Sequence, residues 1–349
     1  MNDDDFVLSC PVPFAGYERV VLAHGGGGRV MQRLILELFV EAFDDDALRE
    51  GLDGATVPTG ARTVITTDAF VVSPLFFPGG DIGNLSVHGT VNDLCAAGAA
   101  PRYLAASFVI EEGLPMDDLR RIVQSMAAAA RRCGTRIVAG DTKVVERGKG
   151  DGVFITTTGL GELLVPDPPA PARVRPGDAV LVTGPVGDHG VAVMLQREGI
   201  GIESSLESDS APVLPQLRAL AEAGVPLACL RDPTRGGLAT VLNEIAMGAG
   251  VGVRVEEDAV PVRAEVADAC ELMGLDPLYV ACEGRLVVFV PEDHAGRALA
   301  ALRATPGSEH AARIGRVVAE HPGGVVLESG FGSGRILDLL AGEQLPRIC

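Results

Sequence analysis

The stretch Pro166-Asp167-Pro168-Pro169-Ala170-Pro171 limits this chain more than any other. Its four prolines remove four backbone donors and are incompatible with a helix interior or a central strand. No element runs through it, so the chain is divided there. The predicted organisation is a leader at 1–20, an N-terminal domain at 21–165, a proline-rich linker at 166–178, a C-terminal domain at 179–328 and a mobile tail at 329–349. With 349 residues, each half is long enough for its own core.

Hydrophobic spacing supplies the elements on either side. Met31, Leu34, Ile35, Leu38 and Ala42 share one helical face. Val87, Val91, Leu94 and Gly98 mark a second helix, and Leu119, Ile122, Val123 and Met126 a third over 116–132, with Pro115 suited to its first turn. Strands are predicted at 62–67, 103–110, 136–139 and 153–160. Beyond the linker, strands are predicted at 179–183, 251–256, 285–290 and 313–318. Helices are predicted after the loop 184–190 and at 212–223, 237–248, 263–273 and 293–303. This alternation predicts two α/β or α+β domains.

Composition removes several function classes. The formal charge is −18, which argues against a polyanion-binding surface. There is no Trp and few other aromatics, so no stacking platform for single-stranded nucleic acid is expected. The seven cysteines are odd in number and contain no CxxC pair, so neither a disulfide framework nor a zinc ribbon fits. No apolar run reaches bilayer length, and the acidic start Met1-Asn2-Asp3-Asp4-Asp5 lacks a signal pattern. A cytoplasmic protein with reduced thiols is expected.

Several residues are candidates for chemistry. The run Gly25-Gly26-Gly27-Gly28 before a helix reads equally as an anion cradle or a hinge. Asp68 and Asp141 follow predicted strands, Asp93 lies beside Asn92 on a predicted helix, and Asp232 sits in a turn. Carboxylates with a phosphate chain are the usual way to hold Mg2+; singly, each Asp reads as a turn, cap or solvated residue. Lys143 is one of only two lysines, and Glu283 precedes an apolar strand. His189 suits a hydrogen-bonding role at a helix start, and the internal cysteines suit packing as small hydrophobes. The chain ends Pro346-Arg347-Ile348-Cys349. A terminal thiol is either a frayed end or a group that enters a pocket and is handed to a partner. Prenylation needs the cysteine fourth from the end, where Pro346 stands.

Together these residues resemble a known family. His24-Gly25-Gly26-Gly27-Gly28, Thr67-Asp68, the stretch from Asp81-Ile82-Gly83 to Asn92-Asp93, Gly140-Asp141-Thr142-Lys143, Arg231-Asp232-Pro233-Thr234-Arg235-Gly236-Gly237 and the ending Pro346-Arg347-Ile348-Cys349 are similar to the HypE family of hydrogenase-maturation carbamoyl dehydratases. The resemblance runs from about Leu22 to Cys349. Most internal motifs are shared with aminoimidazole-ribonucleotide synthetase, selenophosphate synthetase and thiamine-monophosphate kinase; the terminal Pro-Arg-Ile-Cys separates this family from them.

The resemblance implies an α+β, two-domain aminoimidazole-ribonucleotide synthetase-like fold, with an N-terminal sheet that pairs in a homodimer and a C-terminal α/β domain. It implies ATP bound by Gly25, Gly26, Gly27, Gly28, Asp68, Asn92, Asp93, Asp141, Thr142, Arg235, Gly236 and Gly237, and Mg2+ held by Asp68, Asp93, Asp141 and Asp232. The implied reaction dehydrates an S-carbamoyl group on Cys349 to S-cyano, with Lys143 steadying the phosphoryl group, Asp93 catalytic and Glu283 accepting protons. A HypF-like carbamoyltransferase would load the thiol, and a HypC–HypD-like iron scaffold would take the cyanide. The alternative is a small-molecule kinase or synthetase of the same superfamily. Gly330, Gly332 and Gly334 would act as the tail's hinge, and the residues after them would span about 50 Å fully extended.

Overall fold

A computed structural model describes residues 17–26, 29–49, 54–198, 205–340, 345 and 347–349. The chain opens with α1 (Arg29–Leu34), which passes through a π-helical stretch (Ile35–Val40) into α2 (Glu41–Phe43); α3 (Asp46–Arg49) follows. Then come β1 (Thr63–Phe70), the short pair β2 (Phe76–Phe77) and β3 (Gly80–Asp81), α4 (Ile82–Ala96), β4 (Ala99–Glu111), α5 (Met116–Cys133), β5 (Arg136–Val145) and β6 (Val153–Leu163). The first sheet has the order β1-β6-β4-β5, with β4 and β5 parallel and the other pairs antiparallel.

Local chemistry sets the two helices that cover this sheet. Asp81 caps α4 by accepting from Gly83 N–H at 2.7 Å and Asn84 N–H at 3.2 Å, while Asn84 Oδ1 accepts from Asp81 N–H at 3.0 Å. Helix α5 carries Asp117 and Asp118 in its first turn and Arg131 and Arg132 in its last, matching the helix dipole, and stops at Gly134 with φ +66°. Its apolar stripe, with Leu119, Ile122, Val123 and Met126, is fully buried. Helix α4 is buried nearly all round, because it packs on the sheet and α5 and also on the second domain.

The strands reach further than the pattern predicts. Gly140, Asp141, Thr142 and Lys143 lie inside β5, and Asp68 lies inside β1, rather than in loops after them. Strand β4 offers a partner at each step, pairing Ser107 with Asp141 and Val109 with Lys143. Ladder pairing therefore overrides the poor strand propensity of Gly and Asp.

The second domain contains β7 (Ala179–Val182), α6 (Asp188–Glu198), α7 (Leu214–Glu222), β8 (Cys229–Arg231), α8 (Gly237–Ala249), β9 (Gly252–Glu256), α9 (Ala264–Met273), β10 (Val287–Val290), α10 (Glu292–Arg303), β11 (Ala312–Val318), β12 (Val325–Glu328) and β13 (Gly334–Ile336). Its sheet order is β13-β12-β9-β11-β7-β10-β8. All residues of β7 and β10 are buried, as expected for strands covered on both faces. Leu181, Val288 and Val290 join α7, α10 and the first domain in one core, whereas Val180, Val182, Val287 and Phe289 pack with α8.

Strands β8, β12 and β13 have no counterpart in the sequence pattern; each is three or four residues long, too short to show a period. Strand β13 also changes the role of the tail glycines. Gly332, with φ +81°, turns the β12–β13 hairpin, and Gly334 is a ladder residue, so neither acts as a hinge there. After β13, Leu337 is fully buried and bonded to Val325 and Asn243. Among the described residues no helix is long and apolar enough to cross a membrane.

Gly83 marks the closest approach of α4 to α5: a Cβ there would overlap the Ile122 carbonyl oxygen. Gly83→Ala is expected to lower folding stability by about 1–3 kcal/mol through overpacking. The check is a lower urea midpoint at unchanged m-value; equal midpoints would show that the crossing relaxes freely.

Candidate active site

The antiparallel register of β1 and β6 decides which way each candidate points. Residues opposite one another share a face, and faces alternate along a strand. Asp68 pairs with buried Thr157, so its side chain faces α4. Asp141 shares the opposite face with Ser107 and Thr156. The same argument puts Lys143 on that outer face. Asp141 and Asp68 are therefore on opposite faces, with two strands between β1 and β5 in the sheet.

The candidates accordingly fall into two groups. Outside the first sheet, the Lys143 ammonium lies 2.9 Å from the Asp141 carboxylate and holds it below its usual range. Gly25 packs on Val144 of the same edge strand, and Gly26 follows it in the chain. Thr142 is buried on the inner face, in the apolar cavity that includes Phe39 and Phe108. Gly27 and Gly28 lie outside the described residues.

The second group meets between the domains. Asp93 Oδ2 accepts from Thr66 Oγ1 at 3.0 Å. Burial, followed by the charge of Asp68, pushes the Asp93 carboxyl up. Burial and the Asp93 carboxylate push Asp232 up to about 7. Glu283 is 2 % exposed, and its Oε1 has no hydrogen-bond partner among the described residues. Burial, then the charges of Asp232 and Asp209, push it well above the carboxylate range. Beside these acids sits Cys349. Burial, then the charge of Glu283, pushes its thiol up, with Arg235 opposing. Asp68, Asp93, Asp232 and Arg235 line a cavity of about 550 Å³. A larger concavity of about 820 Å³, near Tyr17, Arg33 and Arg120, contains none of the candidates.

Two expected nucleotide contacts are otherwise engaged. Asn92 Nδ2 donates to the carbonyls of Ala211 at 3.0 Å and Glu283 at 2.9 Å, and Oδ1 accepts from Val213 N–H at 2.9 Å. Asn92 thus ties α4 to the second domain and fixes the backbone that carries Glu283. Gly237 is buried against the carbonyls of Leu278 and Val280. Gly236 is the N-cap of α8, and Arg235 is exposed at the cavity.

Sequence spacing gives no sign of what seats the terminal cysteine. Val71 N–H donates to the Cys349 carbonyl at 3.1 Å, and Ser73 N–H to the Arg347 carbonyl at 3.1 Å. The chain end thus adds to the segment that follows β1. Asp209, absent from the sequence candidates, accepts from Glu283 N–H at 3.0 Å.

As a test of fit for magnesium, Asp68, Asp93 and Asp232 offer hard oxygen donors that repel one another, which suits a divalent cation completed by phosphate oxygens and water. Among the described residues no three acidic, His or Cys groups stand close enough to hold an ion unaided. The donor set fits a cation that arrives with a phosphate chain. Stability should follow the same electrostatics. A carboxyl raised to about 7 contributes stability that is full below the unfolded value near 4 and lost as pH rises through 7. Asp232→Asn should therefore raise the melting temperature relative to the parent at pH 8 and change it little at pH 4. A difference independent of pH would contradict the repulsion.

Residues 45–163 match the model of the AIR synthase related protein, N-terminal domain, and residues 175–328 that of the AIR synthase related protein, C-terminal domain. The chain is 56% identical over 334 residues to the carbamoyl dehydratase HypE of Cupriavidus necator, covering 95% of each chain. A crystal structure of hydrogenase maturation protein HypE in complex with ATP superposes with a TM-score of 0.91 at 50% identity, covering 94% of this chain and 99% of that one. A HypE–HypF complex matches with a TM-score of 0.78 at 45% identity, covering 88% of this chain and 99% of that one.

Proposed function

This chain belongs to the HypE family of carbamoyl dehydratases, of the two-domain AIR synthase-like fold, and from that membership we propose that it dehydrates an S-carbamoyl group on its own Cys349. The observation that carries the reading is the seat of Cys349 between the domains, beside Glu283 and the Asp68–Asp93–Asp232 group. The substrates are ATP and the carbamoylated tail, and the product supplies cyanide for hydrogenase iron.

The chemistry follows from the leaving group. In S–C(=O)–NH2 the amide oxygen leaves poorly. Transfer of the γ-phosphoryl group to that oxygen gives an imidate phosphate, whose C–O bond breaks with release of inorganic phosphate. The two N–H protons leave, the C≡N bond forms, and Cys349 keeps its S–C bond. Glu283 is the proton acceptor: a buried carboxylate of raised pKa, with Oε1 unpartnered among the described residues, is a strong base beside the Cys349 thiol. Asn92 and Asp209 hold its backbone. Arg235 stands on the cavity wall, where phosphoryl charge develops. Bound magnesium supplies neutralisation of the phosphate oxygens, and Asp68, Asp93 and Asp232 are the residues that would hold it.

The outer-face group fits a homodimer. The exposed sheet face carries Ile65, at 69% exposure, with Thr67 and Thr156. Pairing this face with a second copy would bring Asp141, Lys143 and Gly25 of one protomer toward the other's carboxylates. That arrangement accounts for motif residues that one chain alone keeps apart.

Loading of the thiol calls for a different pose. The seated thiol is pushed toward its neutral form, whereas attack on a carbamoyl donor needs the thiolate. The tail therefore takes its carbamoyl group outside, from a HypF-like transferase, and delivers cyanide to a HypC–HypD-like scaffold. From Asp338 onward the roughly 12 residues reach about 40 Å extended. All six cysteines among the described residues are free thiols, which fits the cytoplasm.

The test is intact mass spectrometry with a carbamoyl donor and Mg-ATP. An adduct should appear on Cys349 and then lose the mass of one water. Glu283→Gln should keep loading and slow the water loss roughly 100- to 10,000-fold; the parent rate should fall as pH drops and the carboxylate protonates. An adduct confined to another cysteine would overturn the reading.

A further inference from the structure

One buried side chain outside the carboxylate group addresses the tail directly. His189, in the first turn of α6, is fully buried, and its ring stands edge-on to Phe77 at 5.4 Å between centroids. Its Nε2 lies 2.9 Å from the Ile348 carbonyl oxygen, and its Nδ1 lies 2.7 Å from Ser208 Oγ.

We propose that His189 is the positioning residue that seats the reacting cysteine: its Nε2–H donates to the carbonyl one residue before Cys349. This rests on the dehydratase reading above and names a further residue in it.

The neighbours define the tautomer. Ser208 Oγ accepts from Ser210 N–H at 3.0 Å, which leaves its O–H to donate to Nδ1. With Nδ1 an acceptor, the ring proton is on Nε2, facing Ile348. Burial lowers the pKa of His189, so the ring stays neutral and keeps that arrangement. A protonated ring would reverse the bond to Ser208, which would then accept from Nδ1–H.

The other tail contacts share one character. Arg197 Nη2 donates to the Arg347 carbonyl at 2.7 Å while its Nε donates to the Ser73 carbonyl at 2.8 Å. Arg347 pairs with Asp151. Ile348 is 3 % exposed and joins the main core. The seat therefore reads main-chain oxygens at 347, 348 and 349, the Arg347 guanidinium and one aliphatic side chain. None of these contacts falls on Sγ. The same seat accepts the thiol, the carbamoyl and the cyano forms, so the terminal group can change while its position stays constant. Proximity of this kind is worth orders of magnitude in rate, and a misplacement near 1 Å can cost about 100-fold.

The experiment uses the full-length chain and cyanate as a chemical loader. Isocyanic acid adds across S–H: the S–C bond forms and the thiol proton moves to nitrogen, giving the S-carbamoyl cysteine without a partner protein. Two rates are then read by mass spectrometry of the terminal peptide, iodoacetamide alkylation of the free Cys349 and ATP-driven water loss from the carbamoylated form. His189→Ala should speed alkylation at least fivefold, because the tail leaves its seat, and slow water loss tenfold or more. Nucleotide affinity should stay within twofold. His189→Gln, whose amide N–H can donate to Ile348, should recover most of both rates. A merely structural role would not move the two rates in opposite directions. If His189→Ala does not fold, Arg197→Ala should show the same opposed pair at smaller size. Equal alkylation in parent and variant, or slower water loss without faster alkylation, would overturn the seat. Absence of water loss in the parent itself would sink the dehydratase reading, while the alkylation pair would still decide the seat.

Discussion

Asn92 is the point on which the arrangement turns. One amide makes three hydrogen bonds across the domain junction, to the backbone of Ala211, Val213 and Glu283. Removing it would leave buried carbonyls and an N–H without partners, each costing about 1–3 kcal/mol. Because α4 is buried nearly all round, with Asp93 alone of its residues only partly so, it has little solvent face to shift toward. The acids on β1 and α4 and the Glu283 backbone of the second domain are therefore held in one register, through a side chain that touches no reacting atom in the proposed chemistry.

The site works against the charge of its own protein. A chain of formal charge −18 places three acidic side chains, Asp68, Asp93 and Asp232, around one cavity and buries two more, Glu283 and Asp209, close to them. The raised carboxyls of Asp93, Asp232 and Glu283 record that cost. It also gives the cavity two uses. Mutually repelling carboxylates favour any cation that comes with a phosphate chain, and a carboxylate kept from ionising easily is a base once ionised. Arg285 sits between Asp188 and Asp209, at 3.5 Å and 3.4 Å, and offsets part of their repulsion, although burial and the charge of Asp209 still push Asp188 up to about 6.

How much was legible from the residues differs by element. Helix α5 shows its start, stop, stripe and charges in the sequence, because each depends on neighbours within four residues. Strand β5 is half legible: its apolar start is plain, but its continuation through Gly140 and Asp141 depends on β4 being present. The motifs name Asp68, Asp93, Asp232 and Cys349, the family resemblance adds Glu283, and the fold brings these five together. They also name Asp141, Lys143 and Gly25, and the fold of one chain keeps these apart from the others. His189 shows in the sequence only as a hydrogen-bonding residue at a helix start, and Asp209 does not show at all, since their partners are 159 and 74 residues away.

The amino-acid sequence by itself determined the division at the proline run, the main helices and strands, the family and the set of residues able to do chemistry. These follow from side-chain types and from short-range backbone preferences, which hold wherever strand pairing does not override them as it does at Gly140 and Asp141. Only the tertiary structure decided which face of the sheet each acid occupies, that Asn92 is a tie between domains, and that the terminal cysteine is seated by backbone contacts and a buried histidine. Those outcomes depend on strand register and on packing between residues far apart in the chain, and a one-residue slip in register would have sent Asp68 and Asp141 to the opposite faces.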